Sequence, residues 1–166
     1  SSTQIDKSVT VAIEGKPLVR PDGRQPAFAS DGIAISNDGK TLYWQALTGK
    51  TLFSIATDKL RADVSERDRG AAVKTVATTG VADGLWMSKA GTLYITSPTD
   101  YSIRRLVGSG TETVLTDKRL RWPDTFAEGP DGTIYVTASH IQDTQWFTPG
   151  APPSIRTELF SFAPAR

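Results

Sequence analysis

The chain has 166 residues, of which 38% are hydrophobic and 22% are charged, and its formal net charge is +1. This balance is typical of a globular protein and provides no electrostatic attraction to nucleic acid or to a membrane surface. Cysteine is absent, which excludes disulfides, thiol nucleophiles and thiolate metal sites. No apolar stretch approaches the ~20 residues of a membrane span. We therefore expect neither a nucleic-acid partner nor a membrane partner.

The first predicted element is a strand over Val9 to Ile13. Prolines at positions 17, 21 and 26 indicate a loop after it, because proline breaks regular structure. We assign residues 1–29 to the outermost strand of a preceding structural unit and to this loop.

From Ser30 onward the chain repeats one pattern three times, as SDGIAISNDGKTLYW, as VADGLWMSKAGTLYIT and as WPDTFAEGPDGTIYVT. Each copy begins with an aspartate and has a turn glycine eight positions later. These pairs are Asp31 and Gly39, Asp83 and Gly91, and Asp124 and Gly132. Apolar runs on both sides of a glycine turn predict two antiparallel strands joined by a hairpin.

Further apolar runs predict a third and a fourth strand after most of these hairpins. The predicted strands of the first copy are 32–36, 41–47, 51–55 and 73–77. The later strands of the second copy are 101–106 and 112–116. The third strand of the last copy is 157–162. Residues 60–69 carry many charges and almost no apolar face, so we predict a solvated loop there rather than a helix.

Four antiparallel strands in each repeat are typical of a β-propeller blade, and the repeats have the expected length of ~40 to 50 residues. We predict an all-β fold in one partial propeller domain, with blades at 30–80 and 81–121 and an incomplete blade at 122–166. Propellers usually close with about four to eight blades, so three blades form only part of a ring. Two explanations remain open: a fragment of a longer protein, or a half ring that a second copy completes as a homodimer.

Three segments carry a resemblance to a known family. They are DGIAISNDGKTLYWQALTGKTLFSI, GVADGLWMSKAGTLYITSP and LRWPDTFAEGPDGTIYVTASHIQD. They resemble the bacterial branch of the major royal jelly protein and yellow family, which is similar to the gluconolactonase and senescence-marker-protein propellers. The resemblance implies a six-bladed propeller of which this chain is the C-terminal half, from Val9 to Phe162. It also favours a secreted or periplasmic protein.

The repeated aspartates are the main candidates for a functional site. We assume that the chain passes from the outermost strand of one blade to the innermost strand of the next on the same face of the propeller. Asp31, Asp83 and Asp124 then lie at the start of the inner strands, at the mouth of the central channel. Three carboxylates in a partly dehydrated channel repel each other, so a cation or bound protons would relieve them. Oxygen ligands favour Ca²⁺ or another divalent cation such as Mg²⁺. The alternative is that each aspartate only caps backbone amides of its turn.

The resemblance to lactonase-type propellers implies more specific roles. It makes Asp31 and Asp83 metal ligands, and it makes Asp83 the candidate catalytic base. Asp124 has no ligand counterpart in those proteins, and their remaining ligands belong to blades outside this chain.

Three more residues are candidate ligand contacts on the same face. His140, the single histidine, suits a general base or a metal ligand, or else it is a loop histidine bonded to backbone. Trp146 lies in a long insertion from Ser139 to about Arg156, which either covers the channel mouth or packs on the next blade. Trp122 either forms a wall of the site or packs in the core.

The chain has no nucleophile elbow, phosphate loop or other cofactor motif, so we expect no organic cofactor. We predict a small-molecule-binding propeller of the yellow type, with the ligand at the top face of the channel. A divalent-metal-dependent hydrolase of the lactonase type is the first alternative. A protein-interaction scaffold is the second alternative, because fold analogy alone does not choose among these functions.

Overall fold

The computed structural model describes residues 2–61, 63–152 and 156–164. Its regular elements, in chain order, are β1 (Ala12–Ile13), β2 (Lys16–Pro17), β3 (Ser30–Ile35), β4 (Thr41–Ala46), β5 (Thr51–Ala56), α1 (Asp58–Arg61), α2 (Glu66–Ala71), β6 (Lys74–Thr78), β7 (Leu85–Met87), β8 (Leu93–Ser97), β9 (Ser102–Val107), β10 (Gly110–Thr116), β11 (Pro123–Glu128), β12 (Ile134–Ala138) and β13 (Glu158–Phe162). A short 3-10 turn, Ile141–Asp143, lies between β12 and β13.

Strands β3 to β13 form three antiparallel sheets in which each strand pairs with its neighbour in the chain. Blade 1 contains β3 to β6, blade 2 contains β7 to β10, and blade 3 contains β11 to β13. This order is that of successive propeller blades. The predicted all-β architecture of about three blades is therefore confirmed, and the part of blade 3 that the structure describes has three strands.

The hairpins that join the first two strands of each blade depend on the repeated glycine. Gly39, Gly91 and Gly132 have φ angles of 70°, 85° and 83°, a conformation that side chains with a Cβ disfavour. No neighbouring atom would crowd a Cβ at these positions. The backbone conformation, not space, therefore requires glycine there.

Each blade turns one face toward the preceding blade and one toward the following blade, which we call the incoming face and the outgoing face. Two apolar clusters fill the interfaces between blades. The first joins Ala34, Tyr43 and Leu52 on the outgoing face of blade 1 to Leu85, Met87, Leu93 and Ile95 on the incoming face of blade 2. The second joins Trp86, Tyr94 and Ile103 of blade 2 to Phe126, Ile134 and Val136 of blade 3. Because both clusters lie between blades, each blade depends on its neighbour to bury its apolar face.

The predicted strand over Val9 to Ile13 is wrong in extent. Only Ala12–Ile13 is a strand, and among the described residues it pairs with Lys16–Pro17 rather than with a blade. Val9 and Val11 are instead buried in an apolar cluster on the top face. That cluster, which we call the top-face cluster, contains Val9, Val11, Leu18, Leu47, Val81, Trp122 and Phe147. The apolar pattern read as a strand therefore reflects burial against the top of the propeller.

The predicted loop over residues 60–69 is also wrong in part, because α1 and α2 occupy much of it. Neither helix has a buried residue, so the segment is solvated as expected. Helix α2 is stabilised by its cap: the Ser65 hydroxyl accepts from the Asp68 amide at 3.1 Å and donates to the Asp68 carboxylate at 2.7 Å. A cap of this kind stabilises a helix that has no apolar face. No helix in the described ranges is long and apolar enough to cross a membrane.

The inner strands β3, β7 and β11 approach each other closely at their first residues. A Cβ on Gly32 would meet the carbonyl oxygen of Asp83, and a Cβ on Gly84 would meet the carbonyl oxygen of Asp124. The residue after the repeated aspartate must therefore be glycine wherever the next inner strand packs this closely. In blade 3 this position is Thr125, which is exposed.

We predict that Gly84→Ala destabilises the protein by about 1–3 kcal/mol, because the added methyl group overlaps the backbone of Asp124 and forces neighbouring strands apart. Gly110→Ala is the matched control, since a Cβ there meets no atom within 4 Å, and its effect should stay within about 0.5 kcal/mol. Denaturant unfolding monitored by circular dichroism measures both. Equal stability of the two variants would contradict the close approach of β7 and β11.

Candidate functional site

The close approach of the inner strands brings the three repeated aspartates together near the first residues of those strands. Asp31 and Asp124 lie within β3 and β11, and Asp83 lies just before β7. Asp124 and Asp31 both raise the pKa of Asp83, and Asp124 raises the pKa of Asp31. All three carboxyl groups are therefore close enough to interact electrostatically, as the repeat predicts.

Asp83 has the most perturbed environment of the three. Its side chain is buried, with 6% of the residue exposed, and this desolvation, followed by repulsion from Asp124 and Asp31, raises its pKa to about 8. A hydrogen bond from Trp122 opposes the shift but does not cancel it. Asp83 therefore carries a proton for most of the time at neutral pH. Asp31 is more exposed, and partial desolvation and Asp124 raise its pKa as well.

Trp122 contacts Asp83 directly but from the core side. Its indole Nε1 donates to Oδ2 of Asp83 at 2.5 Å, and the residue is fully buried. The backbone of Trp122 has φ 60°, and its carbonyl oxygen accepts hydrogen bonds from the amide and hydroxyl of Ser139 at 3.0 and 3.4 Å. Trp122 therefore positions Asp83 rather than offering a ring face to the channel.

The N-terminal segment, residues 2–29, lies across the top of blades 1 and 2 and covers Trp122. The Asp6 amide donates to the Thr48 carbonyl at 2.8 Å, and the Glu14 amide donates to the Thr99 carbonyl at 3.0 Å. Thr48 also accepts the Phe28 amide on its hydroxyl at 3.1 Å. These bonds attach the segment to the turns after β4 and β8, so that the top-face cluster closes over Trp122.

His140 belongs to a separate ion-pair network. Its Nδ1 lies 3.2 Å from Oδ2 of Asp143, and its Nε2 lies 3.0 Å from Oε2 of Glu158. Arg121 pairs with Asp143 at 2.5 Å and Arg156 pairs with Glu158 at 2.5 Å. Arg121 chiefly lowers the pKa of Asp143, and His140 chiefly lowers that of Glu158. The network connects the insertion after β12 to β13. The side-chain partners of His140 are therefore carboxylates rather than backbone groups.

The insertion also brings Trp146 to the N-terminal segment. The Arg20 guanidinium lies 6.0 Å from the centre of the Trp146 ring, a cation–π distance, and Trp146 is exposed. Neither Trp146 nor His140 has a described contact with the three aspartates. The structure therefore groups Asp31, Asp83, Asp124 and Trp122, and it places His140 and Trp146 on neighbouring parts of the same insertion.

Gln142 is a residue of the insertion that sequence analysis did not select. It is buried, and neither its side-chain nitrogen nor its side-chain oxygen has a hydrogen-bond partner among the described residues. Buried amides usually have such partners. No sequence signal identifies it, because a glutamine in a polar loop is normally exposed.

The predicted cation ligands do not form a complete metal site in this chain. Within the described ranges, no group of three or more His, Asp or Glu side chains is placed to hold a metal ion. Calcium takes about six to eight oxygen ligands, whereas one oxygen of Asp83 already accepts from Trp122. The aspartates alone therefore do not fit a divalent cation.

The fold is similar to that of several solved structures. A gluconolactonase from Xanthomonas campestris aligns with a TM-score of 0.59 and 18% identity, over 88% of this chain and 49% of that chain. A putative gluconolactonase aligns with a TM-score of 0.55 and 12% identity, over 98% and 51% of the two chains. A chain of a nidogen–laminin complex aligns with a TM-score of 0.53 and 17% identity, over 87% and 47%.

These structures have different functions, and identities this low show the fold alone. The chain spans about half the length of each of them. No curated protein matches the sequence. The family model for major royal jelly protein matches residues 2–122, which include the first two repeats and the start of the third. A match over most of the chain shows that it belongs to the major royal jelly protein family.

Proposed function

We propose that this chain supplies part of a small-molecule-binding site at the channel mouth, centred on Asp83. The observation that carries the proposal is a buried carboxyl group held by a buried tryptophan beside two further carboxylates. Burying such a group is costly, and a strongly perturbed carboxyl group in this kind of setting is typical of a functional site.

The arrangement of hydrogen bonds defines the chemistry of the ligand. Oδ2 of Asp83 accepts from Trp122, and its other oxygen makes no hydrogen bond to the described residues. Asp31 and Asp124 add negative charge beside it. At neutral pH the protonated Asp83 donates one hydrogen bond beside two carboxylates that accept them, so the site is suited to a compound rich in hydroxyl groups or to an amino alcohol.

Hydrolysis of a lactone or ester is a second candidate function. A carboxyl group with a pKa of about 8 is matched to proton transfer near neutral pH, so Asp83 would remove the proton from an attacking water. The similarity of fold to the Xanthomonas gluconolactonase is compatible with this chemistry. No observation at the aspartate site favours the alternative of a protein-interaction scaffold.

Binding is tested with ethanolamine and gluconolactone as separate probes, and calcium chloride is the negative control because the aspartates alone do not fit a divalent cation. We expect at least one probe to raise the melting temperature of the protein and to change its tryptophan fluorescence, because ligand binding stabilises the folded state. Asp83→Asn should abolish both effects. The matched control is Asp131→Asn, an aspartate in the blade 3 hairpin that bonds to Thr133. No response to any probe, or equal responses of the two variants, would contradict the proposal.

The raised pKa of Asp83 predicts a specific pH dependence of stability. The ordinary pKa of an aspartate is 3.8, and the pKa of Asp83 in the folded state is about 8. Between these two pH values the folded state therefore binds a proton that the unfolded state does not. The free energy of unfolding should fall as pH rises from about 4 to about 8, in total by on the order of 5 kcal/mol. Asp83→Asn, which still accepts from Trp122, should lose this dependence and exceed the wild type in stability above pH 8.

The control for this experiment is again Asp131→Asn. Hydrogen bonds from Thr133 lower the pKa of Asp131. Above pH 5, the free energy of unfolding of this variant should therefore differ from that of the wild type by a constant amount. Urea unfolding across the pH range measures all three proteins. A wild-type curve that stays flat between pH 5 and pH 8 would show that Asp83 is ionised throughout.

Hydrolysis is tested by the opening of gluconolactone, with and without added calcium. A base must be ionised to accept a proton, so the protein-dependent rate should rise as pH passes through about 8. Asp83→Asn should lower that rate by about 10²-fold or more, and Asp131→Asn should leave it unchanged. A rate no faster than the spontaneous reaction would eliminate this candidate and leave the binding proposal standing.

A further inference from the structure

A buried hydrogen-bond network holds the segment that leads from blade 1 to Asp83. This segment, residues 79–84, lies between β6 and β7, and we call it the crossing segment. The Thr79 hydroxyl donates to Oε1 of Gln45 at 2.5 Å, and Nε2 of Gln45 donates to the carbonyl oxygen of Gly80 at 2.7 Å. Gln45 is fully buried and Thr79 is 2% exposed. Gln45 of blade 1 therefore fixes the first two residues of the crossing segment.

Two further contacts fix the same peptide. Nη1 of Arg104, in β9 of blade 2, donates to the carbonyl oxygen of Thr79 at 2.8 Å. The Thr79 amide donates to the carbonyl oxygen of Lys50 at 2.9 Å. Gly80 has φ 82°, and a Cβ there would meet Arg104 Nη1 at 2.9 Å. The amide, carbonyl and hydroxyl groups of Thr79 all have partners, so both blades hold the start of the crossing segment.

Thr96 holds the other end of the crossing segment. Its hydroxyl accepts from the Gly84 amide at 2.7 Å, and its amide donates to the Gly84 carbonyl oxygen at 3.0 Å. Its carbonyl oxygen accepts from the Asp83 amide at 3.4 Å. Between the two ends, Val81 is buried in the top-face cluster. Asp83 therefore belongs to a short segment that is fixed at both ends, with its carboxyl group at the indole nitrogen of Trp122.

Gln45 departs from the residue that the other two blades carry at its position in the repeat. Thr96 and Thr137 each follow the repeated tyrosine by two positions. Each accepts on its hydroxyl the amide of the residue after the repeated aspartate, at 2.7 and 3.1 Å. The longer side chain of Gln45 instead bonds to residues 34 and 35 positions away. The same repeat position thus holds the segment of Asp83 twice, through Gln45 from blade 1 and through Thr96 from blade 2.

We infer that Gln45 and Thr79 are positioning residues for Asp83, because their hydrogen bond fixes the segment that presents this carboxyl group to Trp122. The purpose of that position, ligand binding at Asp83, rests on the proposed function, whereas the geometry of the bond to Trp122 does not. A buried polar group that loses its partner is costly. Without either side chain, the crossing segment would therefore loosen until water reaches the unpaired groups.

A fixed segment is needed because the surroundings of Asp83 disfavour an ionised carboxyl group. Desolvation and repulsion from Asp124 and Asp31 act against it in its buried place, so a loosened segment would let the carboxyl group move toward solvent. The hydrogen bond from Trp122 opposes this movement. That bond forms while the crossing segment keeps Asp83 beside the indole, and it therefore reports the position of Asp83.

NMR spectroscopy of the indole N–H groups tests the inference without a ligand. The chain has four tryptophans, and Asp83→Asn identifies the Trp122 signal because it changes the acceptor of that indole. Thr79→Val removes the hydroxyl that bonds to Gln45 but keeps the shape of the side chain, and Gln45→Met removes both bonds of the glutamine. In each variant the Trp122 signal should move to higher field, and its proton should exchange with solvent about tenfold faster or more.

Two variants separate positioning from a general loss of stability. Thr79→Ser keeps the hydroxyl and should keep the wild-type Trp122 signal. Thr57→Val removes a buried hydroxyl that donates to the Gly39 carbonyl oxygen at 2.8 Å in the blade 1 hairpin, so it should lower the melting temperature without moving the Trp122 signal. If Gln45→Met does not fold, Thr79→Val and Thr79→Ser decide the question. A Trp122 signal that stays unchanged in Thr79→Val, or that changes equally in Thr57→Val, would overturn the inference.

Binding of ethanolamine and of gluconolactone is measured on the same variants. Thr79→Val should weaken the binding of a probe that the wild type binds by about fivefold or more, the effect of one lost hydrogen bond, and Thr79→Ser should not. A Trp122 signal that moves as expected, in a protein that binds neither probe, supports the positioning role and contradicts the proposed function alone. Probe binding by the wild type together with an unchanged signal in Thr79→Val overturns the positioning role and leaves the proposed function standing.

Discussion

Neighbouring inner strands of this protein approach more closely than a Cβ atom allows, and the grouping of the three aspartates follows from that contact. Because Gly32 lies against the carbonyl of Asp83 and Gly84 lies against the carbonyl of Asp124, consecutive aspartates cannot separate without separating the blades. The blades are held in turn by the apolar clusters between them. The repulsion among the carboxyl groups is therefore imposed by packing, and desolvation with this repulsion raises the pKa of Asp83.

A buried carboxyl group with a raised pKa needs a fixed environment if it is to keep one geometry. Trp122 provides that environment through its indole hydrogen bond, and the top-face cluster keeps Trp122 away from water. The cluster draws Val9 and Val11 from the N-terminal segment and Phe147 from the insertion. Two irregular segments, distant in sequence, thus stabilise the position of one side chain at the start of an inner strand.

The repeated pattern was sufficient to predict the blades and the grouping of the aspartates, because strand periodicity and glycine turns are local signals. The role of Val9 was not predictable in this way, since burial on the top face and burial in a strand give the same apolar pattern. Helix α2 depends on the Ser65 cap rather than on an apolar face, and a cap alone is a weak sequence signal. Glu158, one of the two partners of His140, lies 18 residues away from it, and Asp83 lies 39 residues from Trp122, so only the fold brings these pairs together.

A blade of this protein has no core of its own, so the burial of its apolar side chains depends on the blade beside it. Leu52 and Leu159 occupy equivalent positions, because Tyr43 pairs with Ser54 as Tyr135 pairs with Ser161. Leu52 is fully buried against blade 2, whereas Leu159 is 67% exposed among the described residues. The repeated glycine follows the same rule: Gly32 and Gly84 lie against the backbone of the next inner strand. That glycine therefore reflects the contact between inner strands rather than the aspartate that precedes it.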